Sequence, residues 1–319
     1  MKIINNPTQY KIKKAAKALK EGHLVAFPTE TVYGLGADAT NKKAVNRIYS
    51  VKGRPTNHPL IVHISSIDQL DKWAINIPEY AVKLANEFWP GPMTLILKRS
   101  NLAKDFISGG QDNVGLRVPS QSVALELLKE FEKIGGQGVA APSANRFGAV
   151  SPTNAEAVKE ELGIFLQLDD IIVDGGQCLI GVESTILDCT GENPQILRPG
   201  KITEIDLRIL GISVDSKIGE HFIKFSGSLK SHYSPRAKIN LNCLPETGEG
   251  FIALSNVKTP IGSIRLAAPD NAVQFAQQLY AALRLGDSKN LTCISVIPPT
   301  DSGIAIAIND RLTKASQDR

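Results

Sequence analysis

The chain has 319 residues, 42% hydrophobic and 21% charged, the balance of an ordinary globular protein with room for one sizeable and one smaller core. Its formal charge of +4 is mild for that length and selects no nucleic-acid partner by itself. No apolar run reaches the ~18 residues of a membrane span and the first residues, "MKIINNPTQYKIKK", lack the apolar stretch of a secretion signal, so a cytoplasmic protein away from membranes is expected.

Thr8 is placed to cap a helix running through Lys20, with Ile12, Ala15, Ala16 and Leu19 on one face and Gly22 as the stop. "LVAF" (24–27) then predicts a buried strand, and "NKKAVNRIYSVKG" a short helix ending at Gly53. "LIVHI" (60–64), "MTLILK" (93–98), "VGLRV" (114–118) and "GVAA" (138–141) predict further strands, with helices over 78–88 and 121–132. A helix over 153–162 leads to strand-like "IIVD", "STILD" and "QILRPG". Such mixed elements predict an α/β fold: a twisted, open, mixed sheet with helices packed on it, over 1–210. Periodicity weakens over 211–235, where "SGSLKSHYSP" predicts a linker. Residues 236–319 return to an α/β pattern, with strands at "GFIAL", "GSIRL" and "LTCISVI" and helices at 271–285 and "IAIAINDRLTKAS".

"PTETVYGLGADAT" (28–40) contains Gly34, Gly36 and Ala39 in the spacing of a dinucleotide fingerprint. Such a site needs a strand running straight into the glycines and an acidic residue about 20 positions on. Here Pro28 to Tyr33 intervene and the acidic position falls in "GRPTNHP", so the fingerprint fails, and Gly34 and Gly36 are expected to turn the backbone tightly behind a pocket. "ILRPGKI" lacks the remainder of a phosphate loop, and no GxSxG or HExxH occurs. Cys178, Cys189, Cys243 and Cys293 are too scattered for a zinc site or a disulfide framework.

What remains is a set of polar side chains at strand ends: Thr29, Glu30 and Thr31, then Lys52, Arg54 and His58, Arg117, and Ser143 with Asn145 in "APSAN". Cations with hydroxyl and amide donors suit a polyphosphate. Ser143 and Asn145 equally suit a turn, His63 a satisfied core position and Arg117 a carboxylate pair, and residue types alone leave both readings open.

Seven stretches occur together: "PTETVYGLGADA", "KGRP" with "HPLIVHI", "WPGPMTLIL", "VGLRVP", "APSANRFGAVSPT", "VESTILD" and "ILRPGKI". Over about 8–208 they resemble, in family order, the threonylcarbamoyl-AMP synthase family built on the YrdC-type domain. "SHYSP" and "GIAIAINDRLTKAS" resemble its longer form, which adds a small C-terminal α/β, Rossmann-like domain. The resemblance implies that L-threonine, bicarbonate or CO2, and ATP with its Mg2+ give threonylcarbamoyl-AMP and pyrophosphate. A separate tRNA threonylcarbamoyl transferase complex would use that product beside the anticodon.

By the same resemblance Lys52, Arg54, Ser143 and Asn145 form the catalytic signature, and with His58, Asn113, Ser151, Arg198 and Tyr233 they contact ATP. Thr31, His63, Arg117, Ala141 and Ser184 line the threonine pocket, and Tyr233 approaches the nucleotide as part of a lid. The family commonly has Asn directly before "PLIVH", where this chain has Asn57 and then His58. Rival expectations are a double-stranded RNA-binding protein with Lys42, Lys43 and Arg47 on phosphates, and a carbamoyl-transfer enzyme, whose cysteine-rich zinc fingers this chain lacks.

Overall fold

A computed structural model describes residues 1–214, 223–225, 227, 232–300 and 302–317. In chain order its strands are β1 (Lys2–Ile4), β2 (Val25–Phe27), β3 (Gly34–Asp38), β4 (Ile61–His63), β5 (Met93–Lys98), β6 (Asn113–Arg117) and β7 (Val139–Ala140). Then follow β8 (Ile171–Val173), β9 (Thr185–Asp188), β10 (Gln195–Arg198), β11 (Lys238–Leu241), β12 (Gly250–Ile252), β13 (Ile264–Ala267) and β14 (Cys293–Val296). The α-helices are α1 (Gln9–Lys20), α2 (Lys42–Lys52), α3 (Leu70–Trp73), α4 (Glu79–Phe88), α5 (Asp105–Ser108), α6 (Ser122–Lys133), α7 (Ala155–Leu162), α8 (Glu204–Ile209), α9 (Ala272–Ser288) and α10 (Ile304–Ala315).

The first ten strands form one mixed sheet in the order β1-β8-β2-β3-β7-β4-β6-β5-β9-β10. Strand alternation divides its side chains between two cores. Leu24, Ala26, Leu35, Ala37 and Val62 enter the larger core with Trp73, whereas Val25, Phe27 and Val139 enter a second one with Leu19 of α1 and Phe131 of α6. Each large apolar side chain so buried contributes about 1.5–3 kcal/mol relative to remaining in water. The last four strands form a separate parallel sheet, β11-β14-β12-β13, packed with α9 and α10. Its core also takes in Val32, Val150, Ile180 and Val182 from the first part of the chain, so the two parts share apolar surface.

Two expectations change. The stretch from Gly34 is a strand rather than a turn, because β3 is held antiparallel between β2 and β7. Its glycines serve close approach: a Cβ at Gly36 would stand 2.8 Å from both the Phe27 ring and a Val139 methyl. Thr8 occupies the start of α1 but its side chain makes no capping hydrogen bond. Within the expected linker, 215–222, 226 and 228–231 lie outside the described residues. Strand β1, helix α8 and strand β11 complete elements that local patterning did not mark. Among the described residues no helix is long and apolar enough to cross a membrane.

Candidate active site

Helix α2 delivers the first cations. Asn41 caps its start by accepting from the Lys43 and Ala44 amides, and Gly53 ends it in the left-handed region (φ 62°) that glycine tolerates best. Lys52 is therefore the last helical residue, where the helix dipole favours a cation. Arg54 follows after one turn-forming residue. Parallel pairing of β4 with β6 sets His63 directly opposite Arg117. The turn after β7 carries Ser143, bridged to Gly34 at the start of β3, and Asn145.

These segments enclose a recess of about 620 Å³, including its open mouth. Of the residues expected at the site, Thr31, Lys52, Arg54, His63, Arg117, Ala141, Ser143, Asn145, Ser184, Arg198 and Tyr233 all line it. Three do not. His58 stands behind Phe147, ring edge to face at 5.4 Å, and Ser151 lies under the wall, donating to Glu183 at 2.6 Å. Asn113 lines a neighbouring, largely apolar cavity with Ile96, Ile186 and Phe225, which meets the recess at Ile61, because it begins β6 at the end of that strand away from Arg117.

The Lys52 Nζ donates to the carbonyls of Ser143 (2.6 Å) and Asn145 (2.5 Å). Burial, reinforced by the Arg54 charge, pushes its pKa well below the ordinary lysine value. Arg54 donates to the Pro59 carbonyl at 2.9 Å, lies 5.4 Å from the Phe147 ring and is lowered by burial to about 10. Arg117 is paired: Nη2 reaches Glu30 at 2.6 Å, Nη1 reaches Thr31 at 3.0 Å and Nε reaches the Gly91 carbonyl at 3.2 Å. Three of its five N–H donors are thus engaged and two remain. Ser184 Oγ meets Thr94 at 2.8 Å and accepts from Arg198 at 3.0 Å. Burial, then the Arg117 charge, holds His63 down to about 3, so its ring is neutral.

Residue types alone missed Glu183, His232 and Phe147, which also line the recess. Glu183 is the carboxylate amid these cations; burial raises its pKa, but the charges of Arg311 and Arg198 outweigh that and hold it at about 2. Its signal in the sequence was the glutamate of "VESTILD", one residue before Ser184. A run of ring contacts passes from His58 to Phe147, His232 (6.0 Å), Tyr233 (4.1 Å) and Tyr280 (6.0 Å), joining the mouth of the recess to the second sheet's core. Four buried polar atoms in the recess find no hydrogen-bond partner among the described residues: His63 Nδ1, Asn145 Oδ1, His232 Nδ1 and the Tyr233 hydroxyl. Such groups are rare in native interiors, and their gathering in one cationic cavity marks a polar ligand site.

A family model described as "Telomere recombination" (Sua5_yciO_yrdC) matches residues 17–200, and one described as "Threonylcarbamoyl-AMP synthase, C-terminal domain" (Sua5_C) matches 201–317. A threonylcarbamoyl-AMP synthase from Pyrococcus abyssi is 39% identical, covering 97% of this chain and 94% of its own. Its counterpart from Bacillus subtilis is 38% identical, covering 97% and 93%. The crystal structure of P. abyssi Sua5 complexed with L-threonine superposes with a TM-score of 0.88 at 36% identity, over 99% of this chain and 98% of that one. The chain belongs to the threonylcarbamoyl-AMP synthase family, in its two-domain form.

Proposed function

We propose that this protein joins L-threonine, bicarbonate or CO2, and ATP into threonylcarbamoyl-AMP with release of pyrophosphate. The observation that carries the reading is the cavity itself: buried Lys52, Arg54 and Arg198 beside four buried polar atoms that have no partner among the described residues. Threonine's amine first takes up CO2 as a carbamate, losing a proton. A carbamate oxygen then attacks the α-phosphorus, and the bond to the β-phosphate oxygen breaks as pyrophosphate leaves. No protein nucleophile is needed. Charge accumulates on phosphoryl oxygens, and donors fixed in a dry site stabilise it most strongly there.

In this reading Lys52, Arg54 and Arg198 face the triphosphate, with Ser143 and Asn145 as neutral partners. Thr31, His63, Ala141 and Ser184 surround threonine, whose carboxylate takes the two remaining N–H donors of Arg117. Tyr233 closes over the nucleotide from the connecting segment. Ser151 adjoins the site through Glu183 and His58 through Phe147, while Asn113 lines the neighbouring cavity that shares Ile61 with the recess; their part in holding ATP rests on the family resemblance.

Among the described residues no group of three or more His, Cys, Asp or Glu could hold a metal ion, and Glu183 is engaged by Arg311. Magnesium would arrive with ATP, on the phosphates whose charge it neutralises. The product would pass to the transferase that modifies tRNA.

The test is pyrophosphate release from the full chain with ATP, magnesium and bicarbonate. Release is expected to depend on L-threonine; equal release without it, or with serine in its place, would sink the reading.

A further inference from the structure

Glu183 presents a problem that the first domain does not solve. A carboxylate on the wall of a cavity built for a triphosphate would repel that ligand and draw the neighbouring cations to itself. It lies directly before Ser184 and β9, and its Oε1 accepts from Ser151 Oγ at 2.6 Å. Its Oε2 accepts from two side chains of the second domain: the Tyr280 hydroxyl of α9 and Arg311 Nε of α10, each at 2.9 Å.

Arg311 is wholly buried. Its Nη1 binds Asp310 at 2.6 Å and its guanidinium lies 5.3 Å from the centre of the Tyr233 ring, within cation–π range. Tyr233 in turn stacks on Tyr280 and has φ of 62°, a left-handed backbone that a non-glycine residue adopts only when its surroundings impose it. One guanidinium of the second domain thus touches both pocket-wall residues, Glu183 and Tyr233.

We propose that Arg311, assisted by Tyr280, is a positioning residue of the ATP site: it neutralises and fixes Glu183 and braces Tyr233, so the first domain's cations remain directed at the triphosphate. This gives the second domain a task in the reaction, beyond apolar packing, and rests on the synthase reading above. Without Arg311 the carboxylate would face Arg198 of β10 and His232, with Tyr233 and Tyr280 as its other titratable neighbours and Asp310 as a second acid. Its proton affinity would then rise, since Arg311 is the strongest influence holding it down.

The test measures ATP dissociation constants and threonine-dependent pyrophosphate release in the full chain. Arg311→Met is expected to weaken ATP binding at least tenfold at pH 8 and less at pH 6, where the stranded carboxylate takes up a proton. Removing the carboxylate as well, in Glu183→Gln with Arg311→Met, is expected to bring affinity within about threefold of native and abolish the added pH dependence. A merely structural role would move unfolding but not this pH profile.

Native affinity in Arg311→Met, or a double variant no better than the single one, overturns the proposal. Should Arg311→Met not fold, Tyr280→Phe removes one hydroxyl and no charge; about threefold weaker ATP binding is expected, and unchanged binding overturns the proposal. A native chain that binds ATP in an Arg311-dependent way yet releases no pyrophosphate with threonine defeats the synthase reading and leaves this proposal standing.

Discussion

Two walls of the recess handle buried charge in opposite ways. On one, Lys52 is held by the carbonyl dipoles of Ser143 and Asn145. On the other, Arg117 is locked to Glu30 and Arg311 to Glu183, each pair almost without solvent exposure. A guanidinium already matched by a carboxylate offers a ligand directed N–H donors rather than net charge, whereas a lysine held only by carbonyl dipoles has no carboxylate to compete with an incoming anion. The difference separates a wall that orients threonine from a wall that binds phosphate.

The sharpest way to break that distinction is at Glu30. Glu30→Ala leaves Arg117 buried beside Thr31 and a carbonyl, and breaking a buried pair from one side costs about 3–5 kcal/mol. Urea unfolding should register that loss in full. A change below 1 kcal/mol would mean that Arg117 is not fixed by its partner and that the two walls are alike.

Lys52 should behave in reverse. Lys52→Met keeps the length of the side chain and removes the charge, which is expected to lower threonine-dependent pyrophosphate release at least a hundredfold, about 3 kcal/mol. Stability should fall by no more than about 1–3 kcal/mol, the cost of leaving the Ser143 and Asn145 carbonyls without their donor, offset by no longer burying a charge. Lost stability with retained turnover would assign Lys52 to the scaffold.

The same division explains what could be read from the sequence. Strands such as β2 and β5 are apolar runs whose burial follows from composition, and α2 announces both ends through Asn41 and Gly53. Strand β3 was hidden because its glycines have no strand propensity; they are there because Phe27 and Val139 occupy the space a Cβ would need. Lys52, Arg54, Ser143 and Asn145 were legible together only through the family's wording, since each suits a turn or a solvated helix end equally well. Glu183 is the clearest loss. An acid among cations contradicts a phosphate site until its partner is known, and that partner is 128 residues away on another domain.

His63 lies on the Arg117 wall and gives the smallest predicted effect. Its neutral ring, opposite Arg117 in the strand register, is held to about 3 by burial and by that charge, far below the ordinary value near 6.5. Between those values the unfolded chain binds a proton that the folded chain refuses, so stability is complete above pH 6.5 and declines as pH falls. The decline is about 1.4 kcal/mol per pH unit for one such histidine. His232, also buried and held to about 3, adds a second equal slope in the native chain. Urea unfolding at pH 5, 6 and 7 should therefore show His63→Gln losing less than the native chain between pH 6 and 5, by about 1 kcal/mol. Staying at or above pH 5 keeps Glu183, whose stabilising charge is lost only further down, out of the comparison. An unchanged slope in His63→Gln would mean that His63 is charged in the folded protein, and the cavity would then have a cation on the wall assigned to threonine.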